Sequence, residues 1–325
     1  MQLYMQTHSD YLGIIEQNLQ DLKLPKHPSG LYKPITYTLE GGGKRLRPTL
    51  VLASCEAFGV DANTALNQAL AVEMFHNFTL LHDDVMDSSD MRRGRPTVHV
   101  RWSERNAILS GDAMLTLSNI LVRLGCNAEK AVKASTLLDR TAMEVYEGQQ
   151  MDMDFESRND VTVDNYMEMI RLKTSVLLGC ACRMGAIMAD ADNESADALY
   201  NYGVDLGLAF QLQDDWLDAY GDPIIFGKGI GGDILNDKKT WLSITARAED
   251  TTGTMTRKFS SPDEDDEKIK LVREVYDSLN LGERCHKLID NYIDSAITHL
   301  ENASITPAAK EFFVDIAEQS RTRMY

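Results

Sequence analysis

Two short acidic segments with the same spacing set the strongest limit on how this chain can fold and function. They are Asp83, Asp84 and Asp87 in the first segment, and Asp214, Asp215 and Asp218 in the second. Helical residues four positions apart lie on one face, with about 6 Å between their Cβ atoms, so each segment presents two carboxylates to the same region. Like charges at this spacing destabilise an isolated helix, so each segment needs a cation as partner. Carboxylate oxygens suit Mg²⁺, which proteins commonly share with substrate phosphates.

A single motif of this kind is more often an acidic helix end in solvent. Here both copies follow apolar runs and both precede glycine-rich basic loops, which favours a Mg²⁺-diphosphate site. The basic segments are Gly41–Pro48, Met91–Gly94 and Phe226–Asp233, with Lys238 and Lys239 beyond the last. The first of them lacks the Walker order of glycines and lysine, which argues against a nucleotide-binding P-loop.

The net charge of −17 argues against nucleic acid or an anionic membrane surface as a partner. The five cysteines are odd in number and lie mostly in apolar helical contexts, which fits reduced thiols in the cytoplasm. The first ten residues lack the features of a signal peptide, and no apolar run reaches about 18 residues, so no integral membrane segment is expected.

Helical periodicity dominates the whole chain, and nothing marks a domain boundary, so a single all-α domain over residues 1–325 is expected. The predicted helices are 8–22, 48–59, 62–86, 103–125, 127–150, 164–190, 193–220, 238–249, 262–279, 281–302 and 307–323. A weak strand is predicted at Thr97–Val100. Two helix starts are indicated, by Ser261-Pro262 with Glu264 and by Thr306-Pro307.

The two acidic helices each have a second face. In the run 62–86, the apolar residues recur at helical spacing and predict a core stripe of Leu66, Leu70, Met74, Phe78, Leu81 and Val85. His76 shares a different arc with Asp83 and Asp87. In the second helix, Gly203 and Gly207 share an arc with Gln211 and the acidic segment. These glycines indicate either room for an apolar group or close helix packing, and the sequence favours neither.

The motifs together resemble the trans-isoprenyl diphosphate synthases, over residues 40 to 242 and in the family's order. The matching residues are Gly42-Gly43-Lys44-x-x-Arg47-Pro48, Asp83-Asp84-x-x-Asp87, Arg92-Arg93-Gly94, Gly148-Gln149, Lys173-Thr174, Gln211 to Asp218 and Gly221-Asp222. The resemblance implies the isoprenoid synthase type I fold, a helical bundle around a deep central cavity. It also implies a homodimer, with isopentenyl diphosphate and an allylic diphosphate (dimethylallyl, geranyl or farnesyl) as substrates.

The resemblance implies a role for each motif. Mg²⁺ ions would bridge the allylic diphosphate to Asp83, Asp87 and Asp214, with direct or water-mediated support from Asp84, Asp215 and Asp218. The cations expected to complete this diphosphate clamp are Arg92, Lys173, Lys228 and Lys238. Isopentenyl diphosphate would bind without metal to Lys44, Arg47, His76 and Arg93. Thr174 and Gln211 would face the allylic carbocation, and the departed diphosphate would take the proton.

In the family, bulky residues just before the first acidic motif limit product length. Phe75 and Phe78 supply that bulk here, whereas Thr79 is small. An ideal helical wheel turns Phe78 away from the acidic face, so Phe75 is the better candidate for the end of the cavity. We expect a short product of C15 to C20, with C20 favoured.

Four alternatives accompany this reading. A long-chain polyprenyl synthase shares the motifs, and Phe75 and Phe78 speak against it. A terpene cyclase would lack the isopentenyl site, and a non-catalytic regulatory subunit would be expected to lose an acidic motif. A metal phosphohydrolase built on His82-Asp83 lacks further histidines at suitable positions. The basic C-terminal segment Arg321–Tyr325 resembles tails that close over the site in some members, but a frayed, solvated end is the favoured interpretation.

Overall fold

The computed structural model describes residues 5–221, 230–257 and 265–321, and these are helical almost throughout. The helices of the first half are α1 (His8–Gln20), α2 (Ser29–Leu39), α3 (Leu46–Glu56), α4 (Leu66–Met86), α5 (Val98–Arg101), α6 (Glu104–Leu121) and α7 (Ala128–Ser157). Those of the second half are α8 (Val163–Ile170), α9 (Val176–Met188), α10 (Asn193–Tyr220), α11 (Gly232–Leu235), α12 (Trp241–Glu249), α13 (Asp265–Ser278), α14 (Leu281–His299) and α15 (Pro307–Arg321). The described strands are β1 (Met91–Arg92) and β2 (Arg95–Pro96). The all-α prediction is confirmed.

The chain divides into two compact units. The first comprises Met1–Arg140, Cys180–Tyr200 and Ala303–Phe312, and the second comprises Thr141–Gly179, Asn201–Asn302 and Phe313–Tyr325. The first acidic motif and the glycine-rich loop before α3 belong to the first unit. The second acidic motif, with Lys173 and Lys238, belongs to the second.

The core of the first unit forms around α4, which packs chiefly against α3 and α6. Of the predicted stripe, Leu70, Met74, Phe78 and Leu81 are buried, as the periodicity predicts, whereas the two end residues are only half-buried. In the second unit, the buried part of α10 includes Tyr202, whose ring packs edge-on against Phe313 with 5.2 Å between centroids. The apolar face of each acidic helix is therefore anchored independently of its carboxylates.

Helix α2 is absent from the sequence prediction because Pro34 lies in its interior. A proline there removes the amide that would bond the carbonyl of Gly30, which ordinarily disfavours a helix. In the structure, the side-chain amide of Asn106 on α6 donates to this carbonyl at 3.1 Å, and Ser110 donates to the next one, of Leu31, at 2.9 Å. Asn106 and Ser110, which lie 76 and 79 positions further along the chain than the residues they bind, thus complete the hydrogen bonding of the helix.

The predicted continuous helix 164–190 is interrupted. Between α8 and α9 the residues Arg171–Ser175 form a π-helical turn, which contains Lys173 and Thr174. The extra residue of a π-turn shifts the side chains that follow to another face, and such turns are frequent at functional sites. The α-helical period of the sequence gives no sign of this insertion.

The strand predicted at Thr97–Val100 is wrong. Residues Val98–Arg101 form the short helix α5, and the strand pair lies just before it, with Arg92 opposite Arg95 in an antiparallel hairpin. Its two-residue turn is Arg93-Gly94, and both residues have positive φ angles, of 52° and 71°. This is the type I′ geometry that suits the twist of paired strands.

One predicted helix start is confirmed and one lies outside the described residues. The hydroxyl of Thr306 accepts from the amide of Ala309 at 3.2 Å, and α15 begins at Pro307. The start at Ser261-Pro262 falls in the segment 258–264. Among the described residues, no helix has both the length and the apolar character that a membrane crossing requires.

Candidate active site

The first acidic motif lies at the C-terminal end of α4. Asp83 and Asp84 are in its last turn, and Asp87 follows the helix as an exposed cap residue. Arg92 reaches the motif from β1: its Nε donates to Asp84 Oδ1 at 2.6 Å, and its Nη2 lies 3.5 Å from Asp83 Oδ2. Burial raises the pKa of Asp84, and the nearby guanidinium opposes that rise. The buried carboxylate of the motif is therefore already paired with a cation of the protein, the guanidinium of Arg92.

The hairpin directs its two consecutive arginines to different partners. Arg92 binds the acidic motif, whereas Arg93 at the turn donates through Nη1 to the carbonyl of Gly42. A Cβ atom at Gly43 would lie 2.9 Å from the Arg93 guanidinium, and Gly43 also has a φ of +136°. Glycine is thus required here both for the backbone angle and for the close approach of the arginine. The hairpin and the glycine-rich loop form one basic surface.

Arg47 and His76 form a pair beside this loop. Arg47 Nη1 lies 3.3 Å from His76 Nε2, and because a guanidinium can only donate, the histidine must accept through Nε2. Burial, together with the charges of Arg47 and Arg93, lowers the pKa of His76 well below its usual value. His76 is therefore neutral at pH 7, and it orients Arg47 without adding charge. Lys44, in the same segment, is exposed.

Arg45 holds the glycine-rich loop in place, a role that its sequence context does not reveal. Its backbone is left-handed, with a φ of 46°, and its side chain is buried. It donates to Glu16 at 2.7 Å, to Glu73 on α4 at 2.6 Å and to the carbonyl of Leu39 at 2.6 Å. A buried arginine satisfied by three acceptors is rigid, so the two neighbouring positions at Lys44 and Arg47 are fixed relative to α4.

The two aromatic residues before the first motif pack against each other. Phe75 and Phe78 are both buried, with 5.5 Å between ring centroids, and Thr79 donates to the carbonyl of His76 at 2.8 Å. Phe78 also contacts the ring of His82 at 4.9 Å, and His82 Nε2 lies 3.0 Å from the carbonyl of Ile108 on α6. His82 is thus engaged with α6, which gives no support to a phosphohydrolase centre at this position.

In the second unit, the middle aspartate of the acidic motif is the most deeply held. Asp215 is 4% exposed and accepts from the hydroxyl of Tyr166 on α8 and from Gln211 Nε2, the latter at 3.1 Å. Thr174 Oγ1 in turn donates to Gln211 Oε1 at 3.2 Å. Burial raises the pKa of Asp215. Tyr166 is a functional candidate that sequence analysis missed; a lone tyrosine in a helix carries no distinguishing signal.

The π-turn that carries Lys173 and Thr174 is enclosed by glycines. A Cβ atom at Gly148 on α7 would lie 2.3 Å from the amide nitrogen of Lys173, and one at Gly207 on α10 would lie 2.6 Å from Ser175 Cα. Gly203 is equally close to the α9 backbone. Of the two interpretations of these α10 glycines, close helix packing is the one that the structure supports. Lys173 Nζ donates to Asp152 Oδ2 on α7 at 2.6 Å, so this carboxylate, also missed, orients the lysine.

A second cation lies among the remaining carboxylates of this unit. Lys238 Nζ is 3.6 Å from Asp233 Oδ1, and Asp218 Oδ2 accepts from the backbone amide of Asp233 at 2.9 Å. Burial disfavours the charged form of Lys238, but Asp233 and Asp215 outweigh it, so its pKa is raised. Lys238 is therefore a permanent cation at this motif. Lys228 falls in the segment 222–229, outside the described residues, as does most of the tail Arg321–Tyr325.

Both motifs offer only oxygen donors, which fits a hard cation such as Mg²⁺. Within residues 5–221, 230–257 and 265–321, no group of three or more His, Cys, Asp or Glu side chains is gathered as a ready-made metal site. Mg²⁺ usually takes one or two carboxylates and completes its shell with water and substrate phosphate. The donor set thus fits a metal that arrives together with a diphosphate, rather than a resident structural ion.

Comparison with known proteins agrees with this geometry. The family model described as polyprenyl synthetase matches residues 28–279. A geranylgeranyl pyrophosphate synthase of Geoglobus acetivorans is 36% identical over 95% of this chain and 96% of its own length. A geranylgeranyl diphosphate synthase of Methanosarcina mazei is 41% identical over 71% of this chain and 72% of its own. A crystal structure of a geranylgeranyl pyrophosphate synthase, 42% identical, superposes with a TM-score of 0.94 over 99% of this chain and 100% of that one.

Proposed function

The chain belongs to the polyprenyl synthetase family, and we propose that it joins isopentenyl diphosphate head-to-tail to an allylic diphosphate in a Mg²⁺-dependent reaction. The products are diphosphate and a short-chain all-trans prenyl diphosphate. The observation that carries the proposal is that each acidic motif has a cation beside its carboxylates, Arg92 in the first unit and Lys238 in the second. A leaving diphosphate requires this mixture of metal-binding oxygens and fixed positive charge.

Asp83, Asp87 and Asp214 would hold the Mg²⁺, which when bound neutralises the charge that develops on the leaving diphosphate. Asp84 and Asp215 are occupied by Arg92 and by Tyr166 with Gln211, so their part is to support the other carboxylates. Asp218 is anchored on the amide of Asp233. We also propose that the chain is one catalytic domain that carries both motifs.

The chain's own cations divide between the two substrates. Lys44, Arg47, His76 and Arg93 bind the diphosphate of isopentenyl diphosphate, with neutral His76 holding the Arg47 fork. Arg92, Lys173, Lys228 and Lys238 bind the allylic diphosphate. The ion pair with Asp152 positions the ammonium group of Lys173, and the nearby Asp233 positions that of Lys238, before the substrate binds. When the allylic C–O bond breaks, the bonding electron pair goes to the leaving diphosphate, which these residues stabilise.

Thr174 and Gln211 then face the allylic carbocation with oxygen atoms. The double bond of isopentenyl diphosphate adds to this cation and forms the new C–C bond. The proton lost from the adduct passes to the departed diphosphate, which is the strongest base left in the site. No side chain is needed as a general base. The histidine among the residues assigned above, His76, instead orients Arg47.

We favour a C20 product within the C15 to C20 range. The packed pair of Phe75 and Phe78 before Asp83 supports a short chain, and the small Thr79 between them and the motif supports the longer of the two lengths. The long-chain synthase alternative would need this bulk to be absent.

The proposal extends to a homodimer in the cytoplasm. In the first unit, α6 and the turn after it expose large apolar side chains, namely Ile108, Leu109, Ile120 and Leu124. A row of this kind supports burial against a second copy. All five cysteines are free thiols, which supports a reducing compartment. Sedimentation at micromolar concentration tests the dimer.

Product analysis tests the function. The purified protein is incubated with Mg²⁺, isopentenyl diphosphate and, in separate reactions, dimethylallyl, geranyl or farnesyl diphosphate, and the products are dephosphorylated and identified as alcohols. We expect one main alcohol of C20 or C15. Products well beyond C20 would overturn the assignment of the aromatic pair, and no elongation with any primer would favour the regulatory-subunit alternative.

A further inference from the structure

We propose that Tyr166 is a positioning residue that acts through Asp215 to fix the orientation of the Gln211 amide, so that its oxygen is presented on the carbocation side. This inference rests on the proposed function and adds to it a residue outside the recognised motifs. Tyr166 is 2% exposed, so its hydroxyl acts from within the protein.

Four side chains of the second unit form an unbroken chain of hydrogen bonds. Tyr166 on α8 donates to Asp215 Oδ2, and Gln211 Nε2 donates to Asp215 Oδ1 at 3.1 Å. Thr174 in the π-turn donates to Gln211 Oε1 at 3.2 Å. These hydrogen bonds connect α8, α10 and the π-turn; Tyr166, Gln211 and Thr174 each donate to a defined acceptor, and Asp215 accepts twice.

The chemistry of the chain determines which way the amide points. Both oxygens of Asp215 accept, Oδ2 from the Tyr166 hydroxyl and Oδ1 from Gln211 Nε2, so the nitrogen of Gln211 is the atom that faces Asp215. Its oxygen is then the atom on the side of Thr174, and the threonine hydroxyl donates a hydrogen bond to it. Both groups consequently keep oxygen lone pairs, because the threonine O–H and one of the two amide N–H groups are engaged in these hydrogen bonds.

This arrangement suits a positively charged reaction centre. Oxygen lone pairs stabilise a carbocation, whereas an NH₂ group in the same place would repel it. Rotation of the amide by 180° exchanges the two, so a carboxylate that is itself fixed is needed to hold one state. Asp215 is fixed because both of its oxygens accept, one from Gln211 and one from Tyr166. Without the phenol, one carboxylate oxygen loses its donor and the carboxylate can turn.

The test is Tyr166→Phe, with Tyr202→Phe as matched control. Tyr202 is also fully buried in this unit and donates its hydroxyl to a protein oxygen, the carbonyl of Phe313, at 2.7 Å. Each variant removes one buried phenolic donor, so both should lose similar thermal stability. We expect Tyr166→Phe to lower kcat by about 10- to 100-fold, with KM for isopentenyl diphosphate unchanged, while Tyr202→Phe keeps the kcat of the wild type.

A double-variant cycle separates action through Gln211 from general disturbance. In a Gln211→Met background there is no amide to orient, so adding Tyr166→Phe should cost little further kcat. A readout independent of activity is the side-chain amide signal of Gln211 in ¹H–¹⁵N spectra, which should shift or broaden in Tyr166→Phe and stay in place in Tyr202→Phe.

The outcomes are distinct. Wild-type kcat in Tyr166→Phe, an equal loss in Tyr202→Phe, or the same loss with and without Gln211 would each overturn the positioning role. The proposed function is judged separately, by prenyl transfer in the wild type and in Tyr202→Phe. If those two transfer no prenyl group, the function fails, and an unchanged Gln211 amide signal in Tyr166→Phe then also overturns the positioning role.

Discussion

At the scale of single residues, the two acidic motifs contain carboxylates of different kinds. Asp84 and Asp215 are buried and bonded to donors of the protein, whereas Asp87 is exposed and Asp83 Oδ2 lies 3.5 Å from Arg92 Nη2. The spacing of the motif is visible in the sequence, but this division is not, because it depends on Arg92 and Tyr166 from other elements.

Asp83→Asn should therefore lower turnover by at least about 100-fold, because the amide cannot hold Mg²⁺ as a carboxylate does. The free energy of unfolding should change by about 1 kcal/mol or less, since a partly exposed ion pair at 3.5 Å, such as that with Arg92, contributes little. Steady-state kinetics and urea unfolding check both parts, with the exposed Asp90→Asn as control. A large loss of stability in metal-free buffer would contradict this division of roles.

His76 makes the stability of the fold depend on pH. The unfolded chain gains the proton near the ordinary value of 6.5, whereas the folded chain gains it only at lower pH. Between these values the unfolded state binds more protons, so the free energy of unfolding should fall as the pH drops below 6.5. Glutamine does not ionise, so His76→Gln should flatten this part of the profile. Urea titrations from pH 8 to 5 measure it, and parallel profiles for the two proteins would exclude the effect.

At the scale of elements, the site depends on close packing that small residues permit. The π-turn at Arg171–Ser175 is pressed by α7 at Gly148 and by α10 at Gly207. Any side chain at either glycine would have to move the backbone that carries Lys173 and Thr174. The packing of these helices therefore also determines where Lys173 and Thr174 lie.

Gly148→Ala should consequently reduce both stability and turnover. Its methyl group would meet the amide of Lys173, and overpacking of this kind costs about 1–3 kcal/mol. Gly13→Ala on α1 is the matched control, because nothing lies within 4 Å of its added Cβ. It should stabilise the protein by about 0.5–1 kcal/mol, the ordinary helical preference for alanine. Unfolding and kcat are measured for both, and a Gly148→Ala protein as stable as the wild type would contradict the packing argument.

Phe75→Ala should lengthen the product, since it removes bulk from α4 two turns before Asp83. The substitution also opens a cavity in the core and should cost about 3–5 kcal/mol, so products are compared at a temperature where the variant remains folded. Phe78→Ala serves as comparison and should leave the product length nearer to that of the wild type. Alcohol analysis distinguishes them, and an unchanged product with Phe75→Ala would assign the limit to another residue.

Elements that rest on local periodicity were predictable, and those that rest on distant partners were not. The stripe of α4 and the start of α15 at Thr306 follow from neighbouring residues alone. Helix α2 needs the side-chain amide of Asn106 to donate to the Gly30 carbonyl, which Pro34 leaves without a backbone donor. The π-turn needs the glycines of two other helices, and the bound state of Arg45 needs Glu73. Each of these depends on contacts that sequence spacing does not encode.

At the scale of the whole molecule, the charge of −17 sets a general condition for function. An anionic protein repels anionic substrates at long range, so the affinity for two diphosphates must come from local groups. The cations that serve this purpose are concentrated in the loop before α3, the hairpin and the segments after the second motif. Metal ions would supply the remaining charge.

Removal of divalent metal with EDTA should therefore abolish turnover while leaving the fold intact. The buried carboxylates of both motifs are already bound by donors of the protein, Arg92 on Asp84 and Tyr166 with Gln211 on Asp215, so the fold should not require bound metal. Activity and the melting temperature are measured with EDTA and again after Mg²⁺ is restored. Turnover that persists in EDTA would exclude metal-assisted ionisation, and a melting temperature that collapses would indicate a structural ion.

The hairpin between β1 and β2 also constrains how the length of this part of the sequence can change in evolution. Arg92 ends β1 and binds the acidic motif, whereas Arg93 lies in the turn with a positive φ and donates to the glycine-rich loop. Inserting or deleting one residue here would replace the type I′ turn and so disturb both contacts at once. A point substitution can change one of these two contacts alone, but a change in the length of the turn alters both. We therefore expect the length of this turn to be fixed across descendants that keep the reaction, even where the surrounding loops drift.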